Sequence, residues 1–150
     1  MANLVPAKHT SLEQFTEDVL RNFANELNII QALFYVKSLN ADSFQCSAQY
    51  AYFSEDKPAE FKIGETLSGQ AVKNKTVVAL NSVPDDYMTI VSGLGKGKPK
   101  SLVFVPITNA DESIGLIEYA TFESFTDRHQ KALEKVSKKV ADTIVKLQKK

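Results

Sequence analysis

Apolar residues recur along this chain with two different periods. From Leu12 they fall at Phe15, Val19, Leu20, Phe23, Ala24 and Leu27, spaced by three, four and one. That spacing puts them on a single helical face and predicts a helix over about Leu12 to Leu27, ended near Asn28. Thr10 and Ser11 precede Glu13 and Gln14, an arrangement in which a hydroxyl accepts an amide proton and the acidic or amide side chain answers back. The stretch Ile29–Lys37 (IIQALFYVK) is dense in β-branched and aromatic residues and predicts a strand. After the turn residues Ser38–Asp42, alternation takes over. Phe44, Cys46, Ala48, Tyr50 and Tyr52 share one parity, and Gln45, Ser47 and Gln49 share the other, so Phe44–Phe53 is expected to pair as a hairpin with one drier face.

The pattern is less regular through the centre. A turn is expected at Gly64, then a short helix over Leu67, Ala71 and Val72 and a strand at Val77–Leu80. Ser82, ahead of Pro84, Asp85 and Asp86, predicts a second short helix carrying Tyr87, Ile90 and Val91, because proline is tolerated in a first turn. Gly93, Gly95 and Gly97 predict a flexible loop over Ser92–Lys100. Strands follow at Leu102–Ile107 and Ile114–Ala120, joined tightly through Asn109–Glu112. Ser124 and Asp127 open a long amphipathic helix whose Leu133, Val136, Val140, Ile144 and Leu147 alternate with lysines. That seam is close to a heptad and suits pairing with a second copy.

Hairpin-linked strands between terminal helices make an α+β chain with an antiparallel sheet. The order and spacing of three segments carry a resemblance. They are Ile63-Gly64-Glu65-Thr66-Leu67-Ser68-Gly69-Gln70-Ala71-Val72, the strand end Val105-Pro106-Ile107, and Ile114-Gly115-Leu116-Ile117-Glu118. Together they resemble the GAF domain family, the small sensory modules of signalling proteins. The resemblance implies a GAF/PAS-like antiparallel sheet of five or six strands. The N- and C-terminal helices would lie on one face, and a short helix plus loops would cover a ligand pocket on the other. Residues 1–9 form a tail in this reading, and 10–150 a single GAF-like domain.

Composition narrows the function. Eighteen basic residues balance eighteen acidic ones, which removes the electrostatic footprint of a nucleic-acid binder. No apolar run approaches the roughly 20 residues of a membrane span, so no membrane contact is expected and a cytoplasmic setting is. Cys46 is the single cysteine, so no intramolecular disulfide can form. Two histidines, His9 and His129, offer no metal-ligand spacing with it, and no cofactor is implied.

Several constellations are candidates for chemistry. Gly93–Lys100 fails the phosphate-loop pattern, with Ser92 where the first glycine and Pro99 where the hydroxyl residue should stand. Its functional alternative is a lid whose Lys98 or Lys100 meets an anion. Glu118 shares the parity of Leu116 and Ala120, and a carboxylate on a dry sheet face must be paired or must raise its pKa. It is a candidate polar anchor; the bland alternative is pairing with a nearby Lys or Tyr hydroxyl or reaching solvent. Tyr50, Tyr52 and Tyr87 are phenols fit to line a pocket. The candidate pocket is therefore Tyr50, Tyr52, Leu67, Ala71, Tyr87, Ile90, Ser92, Leu94, Lys98 and Glu118.

The resemblance implies a non-catalytic regulatory domain that senses a small molecule or mediates dimerisation. A homodimer through the terminal helices and an attached kinase or cyclase output domain would accompany it. The alternative is a small freestanding enzyme, a reductase or hydrolase, using Cys46 or Glu118. Within the family, bilin attachment and methionine sulfoxide reduction use cysteines in other contexts or numbers than Phe44-Gln45-Cys46-Ser47-Ala48. The cyclic-nucleotide signature is matched only in part: Ala110 follows Asn109 and Arg128 follows Asp127.

Overall fold

A computed structural model describes residues 5–6, 11–52, 58–81, 90–92, 95–97 and 99–148, with side chains outside 90–92 and 95–97. The helix α1 (Leu12–Leu27) has the predicted bounds. Ser11 caps it, its hydroxyl accepting from the Gln14 amide at 3.1 Å, while the Gln14 side chain donates forward to Asp18 and not back to the cap. Asn28 ends the helix in the left-handed conformation, φ 52°, which asparagine tolerates better than most residues.

The strands β1 (Ile29–Lys37), β2 (Ser43–Tyr50), β3 (Phe61–Lys62), β4 (Val78–Leu80), β7 (Ser101–Asn109) and β8 (Glu112–Thr121) form one antiparallel sheet, ordered β3-β2-β1-β8-β7-β4. Two helices complete the fold, α2 (Thr66–Asn74) and α3 (Asp127–Gln148). α3 starts three residues beyond the expected Ser124. Thr126 caps it, with His129 as the reciprocal partner: the Thr126 amide donates to His129 Nδ1 at 3.2 Å.

Alternation along the strands divides the interior in two. On one face Val103, Val105 and Ile107 of β7 and Ile117 of β8 pack with Phe15, Phe23, Leu133 and Ile144 of α1 and α3. On the other, Leu102, Phe104, Leu116 and Ala120 pack beneath Ala71 and Val72 of α2. The expected layering is therefore observed: terminal helices behind, a short helix in front.

Three expectations are corrected. Ile90 and Val91 lie in a strand, β5 (Ile90–Ser92), paired with β6 (Gly95–Gly97) in a two-stranded sheet. The expected helix at Ile90 and the loop at Gly95–Gly97 are thus a β-ladder; β-branched Ile90 and Val91 favour extended backbone, and glycines can occupy a short partner strand. The strand β3 carried no signal, because two residues cannot show a period. The parity of β2 also breaks. Phe34 pairs with Ala48 but Tyr35 with Cys46, leaving Ser47 as the extra residue of a β-bulge. Phe44 and Cys46 face front, whereas Ala48 and Tyr50 pack with the helix-side core. Ser47 turns to α1, its hydroxyl 2.7 Å from that of Thr16.

Candidate functional site

The front of the sheet presents rows of side chains set by register. Val78, Phe104, Glu118, Leu33 and Gln49 stand side by side across β4, β7, β8, β1 and β2. The adjoining row brings Leu80, Leu102 and Ala120 together. Between these rows is a small depression of about 30 Å³, room for little more than a water molecule. Leu33, Leu102, Phe104 and Ala120 line it together with Gln31 and Glu118. Towards β3 the same face continues as an aromatic group. Phe61 stacks on Phe44 at 5.2 Å and meets Tyr35 edge-on at 4.9 Å.

The position of α2 over this face follows from local backbone. Gly64 turns the chain after β3 at φ +90°, a conformation that side chains rarely adopt. The turn folds back on Gly69, whose Cα hydrogens lie where a Cβ would come within 2.6 Å of the Lys62 carbonyl oxygen. The Gly64 amide donates to the Gly69 carbonyl at 3.0 Å. Two side chains then fasten α2 to β8. The Ser113 hydroxyl donates to the Val72 carbonyl at 2.7 Å, and the Ser68 hydroxyl donates to Glu118 Oε1.

Glu118 is thus the carboxylate of a floor that also holds the Gln31 amide. Burial raises its pKa to about 7, with the Ser68 hydrogen bond opposing the rise. Cys46 stands on the same face, half-buried, its thiol donating to the Ala48 carbonyl at 3.3 Å. Burial pushes its pKa to about 11, and the Glu118 charge adds to the effect. A thiol so placed is overwhelmingly protonated at neutral pH and is a poor nucleophile. His129 lies at the start of α3, beside Phe125 and bonded to Thr126. Among the described residues no group of three or more His, Cys, Asp or Glu is arranged to hold a metal, and no helix is long and apolar enough to cross a membrane.

Of the sequence candidates, the fold brings Ala71 and Glu118 to this site: Ala71 is buried in the front core and Glu118 is in the floor. Leu67 belongs to α2 but is 40% exposed. Tyr50 is turned to the helix side by the bulge at Ser47. Tyr52 is half-buried beyond the end of β2. Ile90 and Ser92 are placed in β5, while Tyr87, Leu94 and Lys98 lie outside the described residues. Sequence reasoning missed Ser68, although the residue sits inside the Gly64–Val72 motif. It also missed Leu33, Leu102 and Phe104, whose front-facing parity was readable without showing which face held the depression.

The comparisons agree with this geometry. The GAF domain model matches residues 9–145, so the chain belongs to the GAF domain family. Among solved structures it resembles the GAF domain of the Acinetobacter phosphoenolpyruvate-protein phosphotransferase, with TM-score 0.78 and 13% identity over 98% of this chain and 89% of that one. The GAF domain of the Coxiella burnetii phosphoenolpyruvate-protein phosphotransferase is similar too, with TM-score 0.76 and 17% identity over 93% and 86%. The fold is shared with the free methionine-R-sulfoxide reductase of Neisseria meningitidis, solved with its substrate, at TM-score 0.70 and 15% identity over 95% and 83%. At these identities the likeness is one of fold. Comparison with curated proteins gives no match.

Proposed function

We propose that this GAF domain is a non-catalytic regulatory module that senses a small molecule on the front of its sheet. The observation that carries the reading is the pairing of Glu118 with Ser68. One member is fixed in the sheet floor and the other in the helix that covers it. A ligand donating a hydrogen bond to Glu118 competes with Ser68 and shifts α2 relative to β8. The depression is small, so binding of anything larger than a water molecule requires the front face to rearrange. A ligand that favours one arrangement over the other moves the equilibrium between them, and this is the signal.

The high pKa of Cys46, which keeps the thiol protonated at neutral pH, supports a non-catalytic role. The terminal helices α1 and α3 lie together behind the sheet, where they can pair with a second copy and pass the shift to an attached output domain such as a kinase or cyclase. The comparable phosphotransferase structures are GAF domains taken from a larger enzyme. We assign the module to the cytoplasm, a setting that a chain with one cysteine and no intramolecular disulfide suits.

A metabolite screen by thermal shift tests the proposal, each hit being titrated by calorimetry against wild type and Glu118→Gln. The expected result is a hit whose affinity falls at least about tenfold in the variant, the loss of one charge-assisted hydrogen bond. Hits that bind the variant equally well refute the assignment. Turnover of any hit, abolished by Cys46→Ser or Glu118→Gln, replaces the sensor by an enzyme.

A further inference from the structure

Behind the sheet edge, a groove of about 410 Å³ runs between the turn leaving α2, the strand β7 and the first half of α3. Four lysines line it. Lys131, Lys135 and Lys138 project from neighbouring turns of α3, and Lys75 faces them from the C-terminal cap of α2. Spacings of four and three residues stack like charges on one helical face, an arrangement that destabilises a helix by itself. Glu134, three residues after Lys131 and four before Lys138, offsets part of it, and four lysines against one carboxylate leave the groove with a net charge of three positive. Among the described residues the ion pairs are Arg21 with Asp18 and Lys37 with Glu112, and neither takes a groove lysine. Glu134 is the groove's one carboxylate, and it accepts from the Gln130 amide at 3.3 Å.

The chain as a whole is neutral, so this concentration of positive charge is local. The main chain of Lys75 is fixed: it adopts φ 60° with its amide donating to the Ala71 carbonyl. Thr76 and Thr108 line the groove with the lysines and can add neutral donors. A concave site lined by one sign of charge focuses its potential on whatever occupies it.

We propose that this groove is a second binding site, separate from the front-face depression, and that it takes a compact polyanion of the phosphate type. Lysine ammonium groups from two elements clamp the charge, and the threonine hydroxyls hydrogen-bond the oxygens. Concavity favours a small polyanion over an extended acidic chain, for which a flat basic face would serve. The site joins α2 to α3 across the sheet edge, so occupancy ties the front-face cover to the long helix behind.

The test is a titration of the ¹⁵N-labelled protein with inorganic pyrophosphate at ionic strength held constant with NaCl. Saturable shifts are expected at the amides of Thr76, Val77, Thr108 and Lys131–Lys138. The double variant Lys131→Gln, Lys135→Gln is expected to weaken binding at least about tenfold. Lys139→Gln, Lys146→Gln removes equal charge from exposed positions of α3 outside the groove and is expected to change it by less than about twofold. Absence of saturable shifts, shifts centred elsewhere, or equal weakening by both double variants overturns the proposal. A hexaglutamate peptide that binds the groove when pyrophosphate does not overturns it in favour of an acidic protein segment.

Discussion

Replacing Glu118 by glutamine isolates the cost of holding a carboxylate in the front-face floor. The folded pKa, about 7, lies above the ordinary value of 4.5. Between these values the folded chain keeps a proton that the unfolded chain releases. Stability therefore falls as pH rises through that window. Below about pH 4.5 both states hold the proton and the penalty vanishes; above about pH 7 it is complete. The separation corresponds to ~3 kcal/mol. Glutamine keeps an acceptor for the Ser68 hydroxyl and carries no charge, so it removes the penalty without emptying the site. Urea unfolding followed by circular dichroism at intervals from pH 4.5 to 8.5 measures the difference between the two proteins. The variant should match wild type at the acid end and exceed it by up to ~3 kcal/mol at the alkaline end, or about 6–12 °C in melting temperature for a domain of this size. Parallel curves with a pH-independent offset would refute the reasoning, because they would mean that Glu118 titrates alike in both states.

Three further outcomes follow from the same structure. Gly69→Ala places a methyl within 2.6 Å of the Lys62 carbonyl and should destabilise by ~1–3 kcal/mol, with α2 displaced; amide exchange over Thr66–Asn74 would report the displacement, and unchanged protection would contradict it. Ala110→Gly, at an exposed hairpin position with φ 55°, should gain up to ~1 kcal/mol in chemical unfolding, as relief of left-handed strain exceeds the entropy cost of glycine. The Cys46 thiol, with a pKa of about 11, should react with a disulfide reagent at pH 8 far more slowly in the folded than in the unfolded protein; comparable rates would show the thiol to be neither buried nor shifted.

Much of the fold was legible because it rests on long periodic segments. The helix α1 could be bounded to the residue: its apolar stripe runs unbroken from Leu12 to Leu27, and Ser11 and Asn28 are residues that suit the two caps. The layers followed from the order of hairpin-linked strands between two terminal helices and from the family resemblance that this order carries. What escaped was local. A single extra residue at Ser47 reverses side-chain direction for the rest of β2, and this moved Tyr50 from the expected pocket into the rear core. Ser47 reads as an ordinary polar alternation until Thr16 is seen beside it. The β5–β6 ladder was hidden by glycines, which signal loops more often than strands. In the site itself, parity singled out Glu118. Its partner Ser68 is fifty residues away in sequence, a pairing that only the docking of α2 creates.

The central claim, that the front face of this GAF domain takes a ligand anchored by Glu118, is tested most directly by native mass spectrometry. The protein would be incubated with a metabolite extract, and its native mass compared with its denatured mass. The account predicts a non-covalent added mass on wild type that is absent from Glu118→Gln, while the variant remains folded. An added mass carried equally by both proteins, or none on either at saturating extract, would contradict it.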